Sequence, residues 1–119
     1  MVHRVSASPP LGEFEVVVLL AVLHLGARRE QAYGSTIRDE IVARAHRPFA
    51  RGALYVTLDR LEAKGLVGSR LTGATPGRDN RPKRIFKVTP AGLRAVRQSV
   101  AVVANMQRGL ELLLEKASH

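Results

Sequence analysis

The side chains best suited to chemistry in this sequence are cations, and what they can do is hold phosphate. Gly52, Val56 and Arg60 fall on the side of a helix opposite Leu54, Leu58 and Leu61, with Tyr55 flanking them and Arg51 at the front. An arginine at a helix front can pair bidentately with a guanine edge or a phosphate, and a tyrosine hydroxyl can donate to a phosphate. Gly52 lets another backbone approach closely, and a helix N-terminus favours an anion. Asp59 and Glu62 repel phosphate, so the front half of this helix is the half that should meet it. Further along, Arg70, Arg78, Arg81, Lys83, Arg84 and Lys87 stand against a single acid, Asp79. That density of cations fits a backbone-contacting arm, and an arginine at its tip could enter a narrow minor groove.

The rest of the chain agrees with a polyanionic partner. Its 119 residues carry 19 Lys plus Arg against 10 Asp plus Glu, a net charge of +9, and the sequence pI is near 11.3. Without cysteine there are no disulfides or thiolate metal sites. His3, His24, His46 and His119 have no metal-ligand spacing, the carboxylates belong mostly to helix starts and exposed faces, and "GATPG" is followed by no GK[ST]. No metal, cofactor or enzymatic activity is therefore expected. The longest apolar run, Val16 to Leu23, is eight residues, too short for a bilayer. No small-residue cleavage site follows it, so a cytoplasmic location is expected, with no membrane partner.

The elements needed to position these residues can be read from period and punctuation. Residues 1–10, with two Ser and two Pro, are expected to form a flexible arm. "LGEFEVVVLLAVLHLG" predicts a helix from about Gly12 to Leu25, acidic at its start and ended by Gly26. A second helix is expected over Tyr33–Ala45, closed by Pro48, and a third over Arg51–Lys64, closed by a left-handed Gly65. "LVGSRL" and "KRIFKVT" predict two strands about an eleven-residue turn-rich loop, with Phe86 and Val88 sharing a face. Thr89 and Pro90 open a last helix as N-cap and first residue. Helix-turn-helix followed directly by a hairpin wing is far more specific than either part, so the expected fold is a mainly α winged helix-turn-helix over 11–89.

From Pro90 on, Leu93, Val96, Val100, Val103, Gln107, Leu110 and Leu114 step by 3 and 4 alternately, a heptad seam. Val102, Met106 and Leu113 add a second stripe, and Gly109 interrupts the helix. The segment either folds back over its own core or pairs with another chain. A homodimer joined by a long C-terminal helix over 90–119 is the expectation. The corresponding expected function is binding of double-stranded DNA, the alternative a basic RNA- or ribosome-associated adaptor.

Three segments, "LGEFEVVVLLAVLHLG", "RGALYVTLDRLEAKGLV" and "RPKRIFKVTPAGLRAV", together resemble the PadR family of bacterial winged-helix transcriptional regulators over about Leu11–Val96. The resemblance implies a homodimer that represses transcription from an operator with two half-sites. Carried over by position, it makes Arg51, Gly52 and Tyr55 operator contacts in the recognition helix and Lys83 and Arg84 contacts in the wing. It also implies a small-molecule effector of unknown identity. Two features depart from the common pattern: Val56 stands where many members have proline, and Tyr33-Gly34 reverses the usual Gly-Tyr order.

Overall fold

The computed structural model describes residues 10–72 and 82–117. Among these residues five helices and two strands follow in the order α1 (Glu13–Ala27), α2 (Gly34–Ala45), α3 (Arg51–Ala63), β1 (Val67–Leu71), β2 (Arg84–Val88), α4 (Pro90–Gln107) and α5 (Glu111–Lys116). The architecture is a winged helix-turn-helix.

The core forms where apolar stripes converge on α1. Val18, Leu19, Val22 and Leu25 of α1 meet Ile37 and Ile41 of α2, Leu54, Leu58 and Leu61 of α3, Val67 and Phe86 of the hairpin, and Val96 of α4. All of these are buried. Because α1 is enclosed on several sides, its β-branched valines are tolerated in a helix: burial outweighs their small propensity cost. Glu15 is buried in its first turn, where it accepts from the Gly12 N–H at 2.8 Å and from Lys64 Nζ at 2.7 Å. Burial opposes ionisation of that carboxyl, but these donors outweigh it and its pKa lies below the ordinary value.

Helix ends follow the backbone more than the glycines. α1 runs through Gly26 to Ala27, and the left-handed residue that stops it is Arg29 (φ 62°). The Glu30 N–H then closes back on the Leu25 carbonyl at 2.8 Å. α2 likewise stops two residues before Pro48, on a left-handed His46 (φ 54°). α3 ends on Gly65 (φ 76°) as expected, with the Leu66 N–H bonded to the Leu61 carbonyl at 2.9 Å.

The strands pair antiparallel, Val67 opposite Val88 and Leu71 opposite Arg84. Val67, Ser69, Phe86 and Val88 thus share one face, turned to the helices, with Arg84 and the exposed Leu71 at its far end, while the other face carries the exposed Arg70 and Lys87 beside the buried Ile85. The Phe86 N–H also bonds the Ala32 carbonyl at 2.8 Å, so the α1–α2 connection runs along the free edge of β2.

α4 departs from a simple seam in two ways. Val96, expected to face a partner, is buried in its own domain because the first turns of α4 pack on α1 and β2. The helix is also not continuous to the C-terminus. It ends at Gln107, Arg108 turns to extended backbone, Gly109 takes φ 91°, and α5 begins at Glu111. Leu110 and Leu114 therefore lie beyond a break that removes them from the straight stripe. Every described residue from Val100 to Ala117 is exposed, so the segment does not fold back over its own core.

Candidate nucleic-acid interface

The face of α3 opposite its buried leucines is open to solvent. Tyr55 is 47% and Val56 55% exposed, and Arg51, Gly52 and Arg60 are exposed with them. Nothing lies within 4 Å of where a Cβ on Gly52 would stand, which leaves the front of the helix bare for close approach. Arg51, the first residue of α3, forms no ion pair among the described residues.

Tyr55 borders a shallow cleft shared by three elements. Its other walls are Tyr33, Gly34 and Ser35 where α2 begins, and Lys83, Arg84 and Phe86 of the wing. The Lys83 ammonium stands 4.8 Å from the centroid of the Tyr33 ring, a cation–π distance. The Tyr33 N–H donates to Thr36 Oγ1 at 3.0 Å, which fixes the entry into α2.

Tyr55 and Lys83, distant in sequence, thus meet at one surface. Arg84 shares that cleft but is engaged elsewhere. Its guanidinium donates to Asp59 Oδ1 at 3.1 Å, to Ser69 Oγ at 3.2 Å and to Glu62, and it stands 4.9 Å from the Phe86 centroid. Asp59 and Glu62, four and seven residues beyond Tyr55, are thus the neighbours of Arg84 across the fold, where the sequence showed it only as one of six cations. Arg78 and Arg81 lie outside the described residues. The start of α2, with Tyr33, Gly34 and Ser35, was missed as a wall of the cleft. Only the small residues Gly34 and Ser35, opening a helix without bulk, signalled it in the sequence.

Away from this face, Arg28, Glu30, Glu40 and Arg44 form a network that ties the end of α1 to α2. Arg28 donates to Glu40 at 2.6 Å and to Glu30 at 3.1 Å, and Arg44 also reaches Glu40. The hydrogen bonds from Arg28, then Arg44, hold the Glu40 pKa at about 2. Among the described residues there is no His/Asp/Glu cluster able to hold a metal, and no helix long and apolar enough to cross a membrane.

Residues 21–98 match the model of the transcriptional regulator PadR-like family. The chain is 33% identical over 97 residues to the transcriptional regulator Rv3488 of Mycobacterium tuberculosis, covering 81% of this chain and 85% of that protein. Among solved structures it is similar to a PadR family regulator of Eggerthella lenta (28% identity, TM-score 0.62, 87% of each chain). A PadR family regulator of Clostridium difficile has the same fold (16% identity, TM-score 0.68, 87% of this chain and 99% of that one).

Proposed function

This chain belongs to the PadR-like family of transcriptional regulators, DNA-binding proteins rather than enzymes, and we propose that it acts as a homodimeric repressor on a two-fold operator. The observation that carries the proposal is the solvent-facing side of α3, with Arg51 at its tip and the wing beside it. In this docking α3 enters the major groove by its N-terminal end. Arg51 pairs with a base edge, Gly52 and Val56 admit the duplex, and Tyr55 and Arg60 reach flanking phosphates. Lys83, and Arg78 and Arg81 before it in the sequence, hold the backbone on the wing side. Each phosphate so neutralised adds about 0.9 to the salt slope of log K.

Dimerisation uses the segment after the winged domain. Residues 11–89 form the DNA-binding unit and 90–119 the pairing unit. Leu93, Val100 and Val103 are exposed apolar side chains at heptad spacing, continued by Gln107, and Leu110 and Leu114 extend the contact beyond the turn at Gly109. Val96 anchors α4 to its own domain instead. An effector acts on such a dimer only through different affinities for two wing-to-wing arrangements; its chemistry is left open.

Selection of bound fragments from genomic DNA with purified protein tests the proposal. Recovered sites should be two-fold, with half-sites separated by about one helical turn or a multiple. Structured RNA competing as well as the selected duplex would instead favour an RNA adaptor, and a rise in transcription on binding would make the protein an activator.

A further inference from the structure

We infer that Arg84 is not a phosphate contact but the positioning residue that latches the wing to the recognition helix. This rests on the proposed docking, in which α3 and the wing grip neighbouring stretches of one duplex. Three observations support it. Arg84 lies in the last rung of the hairpin, opposite Leu71. Its fork reaches two carboxylates one turn apart on α3, Asp59 and Glu62, and the Ser69 hydroxyl on β1. Ser69 in turn donates to Glu62 Oε2 at 2.6 Å, so both strands are fastened to the same helical turn.

The latch has a second effect. Asp59 and Glu62 are the acids of α3 that would repel a nearby backbone, and Arg84 of the wing places a positive charge against both. An isolated exposed ion pair contributes little to stability. Here one planar guanidinium satisfies three acceptors while lying against a buried ring, which a lysine's point charge cannot reproduce. In keeping with this, the Glu62 pKa is lowered by Ser69 and Arg84, and that of Arg84 is raised by Asp59 and Glu62.

The latch and a direct phosphate contact predict opposite signs. Replacing both acids, Asp59→Ala with Glu62→Ala, removes two negative charges from the neighbourhood of a polyanion. If Arg84 touched phosphate, that variant would bind operator more tightly, and Arg84→Met would still weaken binding in its background. If Arg84 is the latch, the double variant binds about tenfold more weakly, and adding Arg84→Met changes little further. Arg84→Lys, which keeps the charge, should be as weak as Arg84→Met; full rescue by lysine would overturn the latch.

Amide exchange on the free protein supplies a readout without DNA. Residues 67–71 and 84–88 should exchange faster in Arg84→Met and in the double variant, while core amides of α1 stay protected. Unchanged wing exchange in both variants also overturns the latch. Failure of the wild-type protein to bind any duplex would defeat the regulator proposal instead, and the exchange experiment would still decide the latch.

Discussion

Tyr55 of α3 closes so tightly on Gly34 of α2 that a Cβ at Gly34 would stand 2.9 Å from the Tyr55 Cζ and 3.0 Å from its Cε1. The tyrosine expected to meet DNA is therefore also the side chain that seats the third helix on the second. Half of it is packing and half is exposed, which reconciles the two roles.

Gly34→Ala should expose that double role. The obstructing group is the far end of a side chain that can rotate, so the stability change should stay within about 1 kcal/mol. The displaced ring would no longer face the cleft, and operator affinity should fall severalfold. Urea unfolding with operator titration of Gly34→Ala, Tyr55→Ala and the double variant checks this. If Tyr55 acts through its seat, the double variant binds no worse than Tyr55→Ala alone.

Gly92 presents the harsher case. A Cβ there would lie 2.9 Å from Val88 Cγ1 and 3.0 Å from the backbone carbon of Leu66, with the Leu66 carbonyl oxygen nearer still. That carbonyl accepts the Thr89 N–H at 3.0 Å, and the Thr89 hydroxyl donates to Gly65 O at 2.7 Å. The backbone cannot yield as a tyrosine can. Gly92→Ala should destabilise the domain by about 2–3 kcal/mol, read as a lowered urea midpoint at unchanged m value.

These two glycines mark where the sequence was legible and where it was not. The Leu54, Leu58, Leu61 stripe, the Gly65 cap and the Thr89-Pro90 helix start are local patterns, and each was readable because a period or a cap is written in consecutive residues. Val96 fits the heptad as well as Val100 does; only the packing of the first turns of α4 on α1 and β2 separates them. Arg84 likewise reads as one cation among six until the fold brings Asp59 and Glu62 beside it. Gly26 resembles a helix stop, yet the stop is made by Arg29, since the closing bond to Leu25 needs one left-handed residue and arginine can adopt that conformation at modest cost.

The proposed pairing segment should separate from the core by mutation. Val103 is 55% exposed and Val96 3%. Val103→Asp should leave the winged domain folded but convert a dimer to monomer at micromolar concentration, seen by sedimentation equilibrium. Val96→Asp places a carboxylate in the core and should unfold the domain, by more than about 3 kcal/mol. A Val103→Asp protein that remained dimeric would move the interface away from α4.

Arg51 offers a test of base reading that does not touch the fold. Exposed at the front of α3, it can be removed without changing the melting temperature. Arg51→Ala should cost about 1–3 kcal/mol on the cognate operator and relax the preference at one position of each half-site. Loss that is uniform across sequences, with a shallower salt slope, would assign it to phosphate.

Acid stability should depend on Glu40. Its folded pKa of about 2 lies below the ordinary 4.5, so between these values the unfolded chain binds more protons than the folded one. Stability from the Arg28–Glu40–Arg44 network is therefore complete above about pH 5 and is lost as pH falls toward 2. Glu15 and Glu62, also depressed, add to the same slope. Glu40→Gln should be less stable than wild type at pH 7, because Arg28 and Arg44 lose a shared carboxylate, and the difference should shrink toward pH 2. Melting temperatures of both proteins at pH 7, 4 and 3 decide it: a gap that stayed constant with pH would remove Glu40 as the acid-sensitive group.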